Sequence, residues 1–388
     1  MKIAQITSLG NQFDQTIQRY KALVYPRRHI EYRRWLRQQT RTSPTHPQIL
    51  GQPLVVFDFR DNRIDGPQGR RFYGLFIFFI RNGFHPVFTD NYLVLGNIQE
   101  KFKQLCLRED FSILSHEQDL ADGYTLVTDK WYSSLSRRAG KIITINYQPD
   151  YSTSDACFPM PFPLFPSLYA TGEDLRLQDY RNQQRQWKIF FGGDAEAKKY
   201  NKKSIRKIYN KLSRAQILEI LSAGLPKELL LELTSEETLR CAEQAISKGV
   251  VIMNTRHCKV ASEKWLGTIA RADFFLACPG VRYPMSHNLI EAMAVGTIPI
   301  TQYPELFFPA LEQGKNCLVF TSAAELPALI HKARAMEDQE RAAMKANVQR
   351  YYDEFLSPQS TITRLLAHRP KHISLRLLPF LKPGGGFA

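Results

Sequence analysis

The chain has 388 residues, more than one hydrophobic core usually serves, and 44% of them are apolar. Two folded domains are therefore expected, and global disorder is excluded. A net charge of +15 calls for an anionic partner: a nucleotide, a phospholipid surface, an acidic polysaccharide or a nucleic acid.

The six cysteines include no CxxC pair, which argues against a zinc site or a disulfide framework and for a reducing compartment. The N-terminal stretch MKIAQITSLGNQF lacks the apolar core of a signal peptide. The longest apolar run, residues 75–80, is too short to span a bilayer. A cytoplasmic protein is expected, with peripheral attachment to the inner face of a membrane as the variant.

Residues 25–41 carry six arginines beside Tyr25, Tyr32 and Trp35. Residues 54–57 predict a strand, and the polar loop 58–69 ends it. Residues 70–82 predict a helix with Gly83 as its stop. Strands follow from Pro86, over 124–127 and over 141–145, the last two rich in β-branched residues. This alternation predicts a parallel sheet covered on both faces.

The segment 157–168 (CFPMPFPLFPSL) holds four prolines, which exclude a helix or a central strand and predict an extended connector. Domains of 1–180 and 181–350 are expected on either side, followed by a basic tail, 351–388. In the second half, strands are predicted at 187–191, 249–253, 273–278, 297–301 and 317–320. Helices are predicted at 262–271 and 287–295 and over most of 323–352. A basic helix is expected after Gly192-Gly193.

Residues 273–300 hold the strongest functional signal: a strand, a loop with Pro279 and Gly280, a helix, Gly296 and a second strand. Ser286 is placed to cap the helix with its hydroxyl. Ser286, His287 and Asn288 offer donors to a phosphate or sugar. Glu291, off the apolar face of Leu289, Ile290, Met293 and Ala294, is placed to hold ribose hydroxyls. The plain alternative is an amphipathic helix with one solvated glutamate.

Residues 286–293 (SHNLIEAM) and 296–300 (GTIPI) resemble the donor-binding motif of GT-B glycosyltransferases, most nearly the exostosin-like branch. The resemblance implies two Rossmann-like α/β domains facing a central cleft, with ribose contact at Glu291 and a UDP-sugar as the preferred donor. Asn288 stands where that branch usually has arginine. Tyr283 stands where retaining enzymes often carry a second glutamate, which leans toward an inverting reaction.

Other candidates surround this core. Gly193 lets backbone approach a ligand closely, and Lys202 and Arg206 can neutralise a diphosphate, as can Arg256 and Arg282. A solvated basic face explains the same lysines. In the first half, Asp61 and Asp65 are the candidate general bases, with His85 and Asp90 behind them. The alternative there is a charged turn that pairs with itself. No apolar-flanked DxD appears, so no metal is implied, and the nucleotide-sugar is a substrate rather than a cofactor.

Arg364, Arg369, Lys371, Arg376 and Lys382 alternate with Leu365, Leu366, Leu375, Leu377, Leu378 and Phe380. That tail suits an anionic membrane surface or packs back on the first domain. No RNA motif accompanies the charge, so nucleic acid is not the expected partner. The function expected is sugar transfer from a nucleotide-sugar to a glycan or lipid-linked acceptor in bacterial surface polysaccharide or lipopolysaccharide synthesis. Two alternatives stay open: a nucleotide-sugar epimerase or hydrolase of the same fold, and a non-catalytic basic polyanion-binding protein.

Overall fold

The computed structural model describes residues 26–39, 51–96, 101–147, 157–201, 203–281 and 283–377, with Ile17 and Val24 besides. The chain forms two compact units. One holds the residues up to Met160 together with those from Pro358 on, and the other is Pro161–Ser357.

In the first unit the strands are β1 (Leu54–Asp58), β2 (His85–Thr89), β3 (Ser112–Leu114), β4 (Thr125–Thr128), β5 (Lys141–Asn146) and β6 (Cys157–Met160). A C-terminal strand, His372–Leu377, joins them. Among the described residues their order is β3-β2-β1-β4-β5-(C-terminal strand)-β6, and all neighbours are parallel.

The Arg71–Ile80 helix is apolar on every side, and Phe72 through Phe79 are all buried. A helix of that kind needs cover all round. The sheet supplies one side: the Phe88 ring stacks on Phe57 with centroids 5.4 Å apart and on Phe76 at 5.7 Å. The Pro358–Ala367 helix supplies another. Asn82 Nδ2 donates to Phe78 O at 2.8 Å and to Pro358 O at 2.9 Å, which ties the two helices together.

Proline placement corrects one expectation. Cys157–Met160 is a strand, and Pro166–Ala170 is a short helix. β6 lies at the edge of its sheet, where Pro159 need not donate to a further neighbour. Pro166 sits at the start of its helix, where a missing N–H costs nothing. The loop expected over 58–69 also holds structure: a 3₁₀ turn, Asn62–Asp65, runs into a π turn, Gly66–Arg70.

The tail residues Ile373, Leu375, Arg376 and Leu377 are buried within the first sheet. The leucines at 375 and 377 therefore do not face a membrane surface. Leu378, Phe380 and Lys382 lie outside the described residues, as do Tyr25 and Arg41. Among the described residues, no helix is long and apolar enough to cross a membrane.

The second unit has β7 (Trp187–Gly193), β8 (Leu230–Leu233), β9 (Ser247–Asn254), β10 (Ala272–Leu276), β11 (Ile298–Thr301) and β12 (Leu318–Val319). Among the described residues the order is β12-β11-β10-β7-β9-β8, again parallel throughout. Helices Arg214–Gly224 and Glu236–Glu243 both begin with serine capping boxes. The helix expected over 323–352 is broken at Met336, which is extended, into Glu325–Ala335 and Asp338–Tyr351. Each unit is thus a doubly wound parallel α/β fold, the build expected of a GT-B chain.

Leu375 is fully buried in an interior strand of the first sheet. Leu375→Ala is expected to cost about 2–5 kcal/mol. Urea denaturation followed by far-UV circular dichroism measures it; an unchanged midpoint would mean that the strand does not hold the sheet together.

Candidate functional site

From β7 the chain goes to β8, at the edge beyond β9, and from β9 it crosses to β10 on the other side of β7. The carboxyl ends of β7 and β10 therefore flank a topological switch point, where open α/β sheets bind ligands. β7 ends in Gly192-Gly193. A Cβ on Gly192 would lie 2.7 Å from ring atoms of Phe190 and Trp265, and one on Gly193 would lie 3.1 Å from Arg214 Nη1. The glycines are there because an indole and a guanidinium crowd the strand end.

Arg214 is the first residue of its helix. The side chain of Ser213 accepts from Gln216 N–H, and the Gln216 side chain accepts from Ser213 N–H, which fixes the helix start. The arginine is only 6% exposed. Its Nη1 donates to Asp194 O at 2.7 Å, beyond β7, and its Nε to Pro279 O at 3.2 Å, beyond β10. Its guanidinium lies 3.9 Å from the Tyr200 ring centroid and 5.7 Å from that of Phe191. Among the described residues it has no carboxylate partner. Carbonyls and ring faces hold the group in place without neutralising it, so its charge remains for an incoming anion. Arg214 is not among the site residues expected from sequence; the Ser213-x-x-Gln216 box around it is the signal that marks the position.

The Glu291 carboxylate is fully buried. Oε1 accepts from Phe165 N–H at 3.0 Å and Oε2 from the Trp265 indole N–H at 2.6 Å. It is therefore not the solvated glutamate of the plain alternative. Ser286 has the extended backbone of a cap, but its hydroxyl makes no capping hydrogen bond, contrary to expectation. Asn288 Nδ2 donates to Gly192 O at 2.7 Å and so ties the helix start to the end of β7. The His287 ring packs 4.9 Å from the Phe165 ring.

The far end of this helix closes in a Schellman turn. Gly296 has φ +73°, its N–H bonds Met293 O at 3.0 Å, and Thr297 N–H bonds Ala292 O at 2.8 Å. Arg181 Nε donates to Ala294 O at 2.8 Å and Arg185 Nη2 to Val295 O at 2.7 Å. Cations there complement the helix dipole.

Two short helices, Ala197–Tyr200 and Lys203–Tyr209, replace the single basic helix expected. Arg206 is exposed on the second. Arg256 pairs with Glu196 at 2.8 Å, which commits part of its charge. Lys199 pairs with Asp194 at 2.8 Å. Burial opposes ionisation of Asp194, but Lys199 and the Glu196 N–H outweigh it and hold its pKa below the ordinary value. Lys202 and Arg282 lie outside the described residues.

In the first unit, the carboxyl ends of β1 and β4 gather the acidic candidates. Asp61 caps the turn after β1, accepting from Arg63 N–H at 2.9 Å and from the guanidinium groups of Arg60 at 3.1 Å and Arg63 at 3.3 Å. Burial works against it, but these donors hold its pKa below the ordinary value, so it is a weak base. Asp65 is 1% exposed and pairs with the equally buried Lys103 at 3.0 Å, so it is not presented to an acceptor.

His85 opens β2, at the amino end of the strands, away from the edge where ligands sit. Its Nε2 bonds Ser112 Oγ at 2.9 Å. Burial lowers its pKa, which keeps the ring neutral at pH 7. Asp90 accepts from Tyr32 O–H at 2.6 Å.

Asp129, directly after β4, has the character the others lack. Its Oδ1 accepts from Arg60 N–H at 2.6 Å and its Oδ2 from Tyr147 O–H at 3.2 Å. Burial first, and the nearby Asp61 charge, push its pKa above the ordinary value despite those bonds. No spacing in the sequence marks it, because the charge and the phenol that set its environment come from residues 61 and 147.

No protein-family model and no curated protein sequence matches this chain. Solved structures with similar backbones include an α-glucosyltransferase in complex with UDP and a 13-mer DNA containing a HMU base. It is 10% identical, with 82% of this chain and 100% of that one covered and a TM-score of 0.40. Alr3699/HepE of Anabaena, in complex with UDP and glucose, is 12% identical over 81% of this chain and 99% of its own, with a TM-score of 0.40. WaaG, a glycosyltransferase involved in lipopolysaccharide biosynthesis, is 12% identical over 80% and 98%, with a TM-score of 0.36.

Glu291→Ala would strand the Trp265 and Phe165 N–H groups in the interior, at an expected cost of about 2–6 kcal/mol. Glu291→Gln keeps one acceptor and should cost less. Guanidinium denaturation of the two variants checks the order; equal stability of wild type and Glu291→Ala would mean that the carboxylate does not hold the site together.

Proposed function

We propose that this chain is a glycosyltransferase moving a sugar from a nucleotide-sugar to a glycan or lipid-linked acceptor. The observation that carries the reading is Arg214: a buried guanidinium without a carboxylate partner among the described residues, at the switch point of a parallel sheet. The donor diphosphate sits against Arg214 and the start of the His287–Ala294 helix, whose dipole favours an anion there. The exostosin-like stretch 286–300 lies at that same crevice, and it makes UDP the first nucleotide to test. Glu291 holds Trp265 and the 165 segment in place beside the ribose.

In the proposed reaction Asp129 takes the proton from the acceptor hydroxyl as its oxygen attacks the anomeric carbon. The bond from that carbon to the diphosphate breaks, and the leaving charge is met by Arg214. A single displacement of this kind inverts the anomeric centre. The role assigned from sequence to Asp61 passes to Asp129, because a carboxylate held low between two arginines gains little from accepting a proton. Synthesis of a bacterial surface polysaccharide is the setting we propose for this basic chain.

Thermal-shift assays with UDP, GDP, CMP and ADP test the donor site. A nucleotide at 100 times its Kd should stabilise wild type by about 2.7 kcal/mol. Arg214→Gln should abolish the shift and Arg214→Lys should keep part of it; a full shift in Arg214→Gln would overturn the assignment. Asp129 works only when ionised, and its pKa is raised. Turnover should therefore fall as pH drops through that raised value, at a higher pH than for an ordinary aspartate. Asp129→Asn should lower kcat by about 10²–10⁴-fold and remove this acid limb; a persisting limb would assign the base elsewhere.

A further inference from the structure

Among the described residues Trp35 and Trp187 are buried, whereas Trp131 is 78% exposed and Tyr132 beside it 41%. An indole left that open contributes little to packing, and with the neighbouring exposed Tyr132 it offers aromatic surface for a contact. Their place is specific. They follow β4 directly, at the carboxyl edge of the first sheet, between Asp129 and Ser133.

Both ends of this loop are pinned. Asp129 is held by Arg60 N–H and Tyr147 O–H. Lys130 N–H donates to Thr128 Oγ1 at 3.1 Å, and its ammonium pairs with the buried Asp58. Ser133 Oγ donates to the other oxygen of Asp58 at 2.7 Å. One buried carboxylate thus anchors the residues on either side of the two aromatics, so the aromatics stand on a fixed base rather than on a wandering loop. A preorganised contact of this kind loses little freedom on binding.

We infer that Trp131 and Tyr132 form a platform for a pyranose ring of a glycan acceptor. This deepens the glycosyltransferase reading and rests on it for the word acceptor. The chemistry favours a sugar. An indole face carries negative quadrupole charge and suits the C–H face of a pyranose. The ring hydroxyls need a polar rim, which Asp129 and Lys130 supply next to the aromatics in the chain.

The test is electrophoresis of the full chain through acidic native gels cast with neutral soluble polysaccharides: dextran, glycogen, mannan, galactan and glycol chitin. Neutral polymers remove the contribution of net charge. At least one should retard wild type, Trp131→Ala should weaken the retardation about tenfold in apparent Kd, and Trp131→Phe should retain most of it. The melting temperature of Trp131→Ala should stay close to wild type, since the residue is 78% exposed. Retardation of wild type by none of the polymers, or equal retardation of Trp131→Ala, would overturn the platform. The nucleotide reading is separable. Trp131→Ala should keep the nucleotide thermal shift, and Arg214→Gln should keep the retardation, so either can fail alone.

Discussion

A fully buried carboxylate organises the second unit. An ionised group taken out of water costs several kcal/mol unless donors replace its hydration, so Glu291 requires neighbours that can donate. Trp265 and the backbone at Phe165 meet that need. The same contacts bring the Ser262–Ile269 helix and the proline-rich segment against the His287–Ala294 helix. With those elements fixed, the Trp265 ring reaches the end of β7, where only glycine leaves room for it. Asn288 then closes the gap to Gly192, and the crevice at Arg214 takes its shape.

Much of the fold was legible. The runs Leu54–Phe57 and Ile189–Phe191 inside the strands Leu54–Asp58 and Trp187–Gly193 are apolar without a break, because a strand covered on both faces is apolar through its middle. Gly83 and Gly296 ended the helices that their left-handed backbone permits. The prolines of 157–168 misled in part: they forbid most regular structure, but not an edge strand or a helix's first turn. Short strands such as Ser112–Leu114 were invisible because three residues carry no period.

The site was legible as a place more than as a set of roles. The motif at 286–300 pointed to the crevice, yet a solvent-facing Glu291 could not be told from a buried one until Trp265 and Phe165 were seen around it. Asp61, Asp65 and Asp129 are the same residue type near the same sheet edge, and only their partners separate them. Arg60 and Arg63 keep Asp61 acidic, Lys103 encloses Asp65, and burial beside Asp61 makes Asp129 reluctant to ionise. Every one of those distinctions rests on a contact that the linear spacing does not encode, or on burial.

The His372–Leu377 strand lies between β5 and β6, so the first sheet is finished by a segment made after the whole of Pro161–Ser357. While Pro161–Ser357 is being synthesised, roughly ten to forty seconds at ribosomal rates, β5 and β6 have no partner between them. Their facing edges are open templates for pairing with another chain. The inserted unit can fold first on the ribosome, whereas the unit that holds β5 and β6 must wait. Its yield in a cell therefore depends on what shields those two edges during translation.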